Sequence, residues 1–218
     1  MQALDQKITS QAFYKIFALL DQKKFDEAEK ILKSELAQAE KETDPVTQAV
    51  YYSTYGVLCK LKKDYRKAWK YYEQAEKKLP EDPSLKIITA RLLVEYFAQY
   101  DTVIKKMDKV LKLAASNFSY LHHAYTLKGM ALFKSGKKKE AAEALRQSMG
   151  AKNKFEGLET ATNFDFQLVQ EFLERGLERE LCAEYLNAAL VFAQNKKEPV
   201  FEKMIQYLLS KFLNQNQP

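Results

Sequence analysis

Apolar residues recur at helical spacing along most of the chain. Leu92, Leu93, Tyr96 and Phe97 occupy positions i, i+1, i+4 and i+5, and the stretch from Val200 to Leu213 repeats in the same way. This period places the apolar side chains on one side of an α-helix. Because no proline stands between residues 83 and 199, nothing opposes helix formation there. The pattern predicts an all-α protein.

One segment, residues 52–80, places small and aromatic residues at fixed offsets. The spaced residues are Gly56, Ala68, Tyr72, Ala75 and Pro80. Their spacing resembles the tetratricopeptide repeat (TPR), a unit of two antiparallel helices that stacks with its neighbours. These positions are expected to pack the helix pair together and to bind nothing themselves.

Other segments resemble the repeat less closely. Tyr125, Gly129, Ala141 and Leu145 follow the same spacing, and Gly129 lies 73 residues after Gly56. The predicted segments are residues 9–38 (a weak repeat), 49–82 (a clear repeat), 84–113 (a degenerate repeat), 120–152 (a fair repeat) and 164–214 (C-terminal helices). The resemblance implies a right-handed TPR-like α-solenoid of four to five helix pairs with a C-terminal capping helix, in a single domain of residues 1–218.

The resemblance also implies a function, because TPR proteins bind other proteins in a concave groove lined by the first helix of each repeat. We expect a non-catalytic scaffold that acts as an adaptor, chaperone or regulator. The predicted groove residues are Phe13, Phe17, Val50, Ser53, Val57, Lys60, His123, Thr126, Met130 and Phe133. Most of them are apolar, which predicts a hydrophobic peptide or helix as the ligand.

The sequence disfavours one kind of ligand for this groove and leaves the role of the first helix open. Many TPR proteins hold a partner's carboxylate end with Lys and Asn, but this chain has Phe17, Val57 and Met130 where such a clamp needs Asn. The sequence therefore disfavours a carboxylate clamp. The first helix is apolar nearly all round, so Phe13 and Phe17 could equally pack in the core or against a second subunit.

Charge suggests two further functions. Residues 60–154 carry 22 basic and 10 acidic groups within a net charge of +6. The basic edge, predicted at two inter-helix turns, comprises Lys62, Lys63, Arg66, Lys67, Lys137, Lys138 and Lys139. It could bind nucleic acid or an acidic protein, or remain a solvated surface. The acidic C-terminal third could pair with it in another copy and produce a self-assembling scaffold.

Residues typical of catalysis are sparse. His122 and His123 are the two histidines, and on a helix they point about 100° apart, so they cannot converge on one metal or substrate. We expect His122 at the surface or at a helix cap. For the protein as a whole we expect no enzyme activity, no cofactor and no metal. Cys59 and Cys182 show no metal or disulfide spacing. The chain lacks a signal-like start and an apolar stretch long enough to span a membrane, which predicts a cytoplasmic protein.

Overall fold

The computed structural model describes residues 11–114, 117–150, 155, 157–160 and 163–212. These residues form α-helices and no β-strand, so the all-α prediction is confirmed. Parts of three predicted segments, residues 9–10, 151–152 and 213–214, lie outside the described residues. The chain divides into two compact units, unit 1 (Met1–Tyr96) and unit 2 (Phe97–Pro218).

The described part of unit 1 consists of five helices, each packed against the next in the chain. They are α1 (Gln11–Asp21), α2 (Phe25–Lys41), α3 (Pro45–Leu61), α4 (Tyr65–Lys78) and α5 (Pro83–Tyr96). The main core lies between α1, α2 and α3 and includes the buried Ile16, Leu32 and Leu58. Two aspartates cap the following helices, because Asp44 accepts the Val46 N–H at 3.0 Å and Asp64 accepts the Lys67 N–H at 3.2 Å.

Gly56 lets α3 and α4 approach closely. A Cβ atom at this position would overlap the ring of Tyr72 on α4. Ala68 and Ala75 are completely buried on the same helix as Tyr72. Gly56, Ala68, Tyr72 and Ala75 are therefore packing residues between the two helices, whereas Pro80 is exposed beyond the end of α4.

The turns within the helix pairs share one geometry. Lys63 and Gly136 both have positive φ, 62° and 86°. The next residue in each turn, Asp64 or Lys137, donates its N–H five residues back, to Cys59 O or Leu132 O at 2.9 Å. This is the Schellman arrangement that ends many helices.

The described part of unit 2 contains six helices. They are α6 (Tyr100–Leu113), α7 (Phe118–Lys134), α8 (Lys138–Ser148), α9 (Gln167–Glu174), α10 (Arg179–Asn195) and α11 (Pro199–Phe212). Helix α7 packs against α6, α8 and α9, while α10 packs against α8, α9 and α11. Phe155 lies between Phe164 and Tyr185, with ring centroids 4.6 and 5.1 Å away, and anchors the connection before α9 in an aromatic core.

The last helix is fixed to α10 at its C-terminal end. Arg179 Nη2 donates to the Phe212 carbonyl at 2.8 Å, which satisfies one of the open carbonyls of α11. Ile205 and Leu208 are buried, whereas Val200 and Tyr207 are exposed on the other side. Helix α11 therefore buries apolar residues on one face and also exposes apolar residues on the other.

Candidate protein-binding surfaces

Two predicted groove residues lie on α1 in unit 1. Phe13 and Phe17 are half-buried, and their ring centroids are 4.7 Å apart. Phe17 packs at the margin of the unit 1 core, as does Val57 of α3. Both phenylalanines therefore keep part of their apolar surface exposed, and neither belongs to the fully buried core.

Helix α3 carries the next predicted stripe. Ser53, Val57 and Lys60 are half-buried at positions i, i+4 and i+7, which places them on one side of the helix. The prediction that Val50 lines the groove is corrected, because its side chain is only 5% exposed and contributes to the core. The Ser53 hydroxyl donates to the Val50 carbonyl at 2.8 Å, so this side chain is engaged within its own helix.

Lys60 connects this stripe to α5. Its Nζ lies 3.4 Å from Glu95 Oε2 and 5.9 Å from the centre of the Tyr96 ring. The Tyr96 ring also stacks on Tyr65 with centroids 3.7 Å apart. Sequence reasoning missed the α5 residues, including Ile88, which is 38% exposed. Their spacing could have indicated them, because Ile88 and Glu95 are seven residues apart on the predicted first helix of a repeat and therefore lie on one side of it.

The equivalent face of α7 in unit 2 is covered by α9. Phe172 packs edge-on against Phe133 with centroids 4.9 Å apart. The guanidinium of Arg175, which follows α9, lies 5.0 Å from the Phe133 ring centre. Lys134 Nζ forms an ion pair of 2.7 Å with Glu171 Oε1 of α9. One helix of this chain thus occupies the surface that the sequence assigned to a ligand.

Burial corrects three of the unit 2 predictions. Thr126, Met130 and Phe133 are 0%, 5% and 5% exposed, so they offer almost no surface to a partner. Thr126 Oγ1 donates to the His122 carbonyl at 2.9 Å within α7. The fourth predicted residue, His123, keeps 23% of its side chain exposed, and its Nδ1 lies 4.0 Å from Asp165 Oδ2.

His122 is completely buried, contrary to the expectation of a surface or capping residue. Its Nδ1 lies 2.8 Å from the Ser148 carbonyl, and its Nε2 lies 3.1 Å from the Asp165 backbone N–H. The carbonyl can only accept and the N–H can only donate, so the ring is the neutral tautomer with its proton on Nδ1. Tyr185 OH donates to the Asp165 carbonyl at 3.1 Å and extends this network to α10. His122 is therefore a structural residue that joins α7, α8 and the connection before α9.

In unit 1, part of the predicted basic edge is neutralised by nearby carboxylates. Lys62 Nζ lies 3.0 Å from Glu29 Oε2, and this hydrogen bond raises the pKa of Lys62. Lys67 Nζ lies 3.4 Å from Asp64 Oδ2. Lys63 and Arg66 are exposed at the same turn. Roughly half of this part of the edge is thus compensated.

In unit 2, the basic edge lies at the turn between α7 and α8. Lys137, Lys138 and Lys139 are exposed there. They follow Gly136, whose positive φ of 86° forms the turn. The three lysines are consecutive, so they point in different directions from the start of α8.

Both cysteine thiols are shielded from solvent. Burial raises the pKa of Cys182 to about 12, and it also raises the pKa of Cys59. Since the thiolate is the reactive form, neither side chain is poised as a nucleophile. In the part of the chain that the structure describes, no group of three or more His, Cys, Asp or Glu is arranged to hold a metal ion. No helix there has both the length and the apolar character needed to cross a membrane.

Comparison with known proteins identifies the fold. No protein-family model matches the chain, and no curated protein matches it. The solved structure titled "MamA RS-1 ArsTM double mutant" is similar over 85% of this chain and 94% of its own length, with a TM-score of 0.56 and 17% sequence identity. MamA contains TPR units. At this identity the likeness concerns the fold alone, so the chain has the all-α, TPR-like solenoid fold that the sequence predicts.

Proposed function

We propose that the protein is a non-catalytic member of the TPR family and that it binds a hydrophobic peptide or helix of a partner protein on the unit 1 face. We define the unit 1 face as Phe13, Phe17, Ser53, Val57 and Lys60. Adaptor, chaperone and regulator are all roles that such binding would serve.

The observation that carries the proposal is the contrast between the two units. Phe13, Phe17 and Val57 keep apolar surface exposed, whereas Phe133, on the equivalent face in unit 2, is covered by α9. Burying each exposed apolar side chain against a partner would contribute up to about 1.5–3 kcal/mol. Exposed apolar side chains grouped in this way mark interaction sites more often than scattered ones.

Polar groups at one border of the unit 1 face would orient the ligand. Lys60 and Glu95 form an ion pair, and both side chains keep some exposure, 36% and 21%. Such a pair can exchange its hydrogen bonds with backbone groups of an incoming segment. A few polar groups beside an apolar surface give the specificity that apolar contacts lack.

The test is site-specific photocrosslinking in the native host. A photoreactive residue replaces Val57 in one variant and Ala37 in another. Ala37 is exposed on α2 and lies outside the unit 1 face, so it reports non-specific contact. We expect a discrete crosslinked protein from position 57 that position 37 does not give. Equal crosslinking from both positions, or none from position 57, would contradict the proposal.

The exposed cations favour the basic edge as a second candidate site, for an anionic partner. Lys63 and Arg66 are exposed beside the turn of unit 1, and among the described residues neither takes part in an ion pair within 4.0 Å. Binding through such groups releases counterions, so the affinity falls steeply with salt. Reversing the charges of Lys63 and Arg66 should then abolish binding of the anionic partner. Binding on the unit 1 face should respond weakly to added salt and to this charge reversal.

A further inference from the structure

The clear repeat and the fair repeat differ at one pair of equivalent positions. With Gly56 and Gly129 aligned, Tyr55 corresponds to Lys128 and Tyr71 corresponds to Ala144. In unit 1 the Tyr55 and Tyr71 rings stack with centroids 4.6 Å apart. In unit 2 neither ring is present, so the space between the two helices of the repeat is not filled in the same way.

A cleft opens in unit 2 as a result. Its volume is about 310 Å³, against about 130 Å³ for the space beside the stacked tyrosines in unit 1. Leu132 and Ala144 contribute apolar surface to it, and Tyr125 supplies an aromatic wall. The volume lies at the small end of the range that ligand sites in proteins occupy, which is roughly 300–1,000 Å³.

The polar lining of the cleft is predominantly acidic. Lys128 does not contribute an uncompensated positive charge, because its Nζ lies 2.6 Å from Asp108 Oδ1 of α6. Glu140 and Glu143 are exposed at the border on α8, together with Gln147. Gln147 Nε2 donates to Glu143 Oε1 at 2.8 Å and holds that carboxylate beside the cleft.

Two further cations lie near this border on α8. Lys139 is exposed and directly precedes Glu140 in the chain, and Arg146 Nη1 lies 3.5 Å from Glu143 Oε2. Both side chains of the Arg146–Glu143 pair are more than half exposed. An exposed pair of this kind contributes little to stability, so Glu143 can readily exchange Arg146 for another cation. Glu140 and Glu143 are therefore available to receive a cation from outside.

We propose that this cleft, which we call the α7–α8 cleft, binds an arginine side chain of a partner protein. The aliphatic part of the side chain would pack on Leu132 and Ala144, as long cationic side chains do on apolar surfaces. The guanidinium would stack on Tyr125 and donate to the carboxylates of Glu140 and Glu143. The inference rests on the proposed role in protein binding, but it concerns a different surface.

The first arm of the test uses small probes of matched shape. N-acetyl-arginine amide is titrated into the full chain and followed by backbone amide NMR shifts. N-acetyl-citrulline amide is the control, because it has nearly the same shape without the charge. We expect saturable shifts around Tyr125 and Gln147 with arginine, and at least tenfold weaker binding with citrulline. Equal binding of the two probes, or shifts that avoid the cleft, would overturn the proposal.

The second arm changes the cleft itself. Glu140→Gln with Glu143→Gln removes the charge at the border, and Lys128→Tyr with Ala144→Tyr reproduces the stacked pair of unit 1. We expect either double variant to weaken arginine binding at least tenfold. Retained helical circular dichroism and a cooperative thermal transition establish that each variant is folded, and the glutamine pair keeps the test decisive if the tyrosine pair does not fold.

A final measurement identifies the source of the arginine. Sedimentation analysis over a range of concentrations shows whether a second copy of this chain occupies the cleft. We expect no self-association that depends on Glu140 and Glu143, and self-association abolished by their replacement would overturn the assignment to a partner protein. The photoreactive variant at Val57 changes unit 1 and leaves the α7–α8 cleft as it is, so failure of arginine binding is distinguishable from failure of the proposed function.

Discussion

Phe172 of α9 packs edge-on against Phe133 of α7, with ring centroids 4.9 Å apart and ring planes at 71°. This contact closes the face of α7 that corresponds to the open face of α3 in unit 1. Leu168, one turn earlier on α9, lies where a Cβ on Gly129 would be. Helix α9 thus packs on α7 at two points. Phe172 contacts the Phe133 ring, and Leu168 fills the space left by the absence of a side chain at Gly129.

The first prediction concerns the stability of this contact. Phe172→Ala should lower the free energy of unfolding by about 3–5 kcal/mol, because it leaves a cavity beside Phe133. Denaturant unfolding measures the effect, with Val200→Ala as the control at a site that is 77% exposed. The control should change stability by less than about 0.5 kcal/mol. An equally small effect of Phe172→Ala would show that α9 does not pack on α7.

The second prediction concerns the turn between α3 and α4. Lys63 has a φ of 62°, where a side chain is strained and glycine is not. Lys63→Gly should therefore raise the free energy of unfolding by about 1 kcal/mol.

The matched control is Lys70→Gly on the exposed side of α4. Glycine in a helix interior should lower stability by roughly 0.5–1 kcal/mol. Thermal or urea unfolding of both variants should give changes in the free energy of unfolding of opposite sign, positive for Lys63→Gly and negative for Lys70→Gly. Destabilisation by both substitutions would contradict the positive φ at Lys63.

The third prediction concerns stability at alkaline pH. Burial raises the pKa of Tyr55 from 10.0 to about 12. The unfolded chain therefore loses this proton before the folded chain does, and the free energy of unfolding falls as the pH rises from about 10 to about 12. Urea unfolding across this range should show a shallower fall for Tyr55→Phe than for the native chain. An unchanged slope would mean that Tyr55 is not shielded in the folded state.

The sequence was sufficient for the architecture because packing at close approach restricts residue type. Gly56 faces the Tyr72 ring, and only a residue without a Cβ fits there. Such a restriction recurs at fixed spacing and is visible in a single sequence. The all-α, TPR-like solenoid follows from it.

That α9 covers the face of α7 in unit 2 could not be predicted from the sequence in the same way. Leu168 and Phe172 form an ordinary apolar stripe, and nothing in their spacing tells which helix they cover. His122 was also misjudged, since its partner Asp165 lies 43 residues further along the chain. Contacts between residues this distant leave no local pattern, so burial of a polar side chain can be seen only in the folded chain.

The proposal for the unit 1 face is tested most directly by affinity. Once crosslinking identifies the partner segment, calorimetry compares the native chain with Val57→Asp, Phe13→Asp and Ala37→Asp. We predict at least a tenfold rise in Kd for the first two, because each places a charge in the apolar contact, and no change for Ala37→Asp. Native affinity in folded Val57→Asp and Phe13→Asp variants would contradict binding on the unit 1 face.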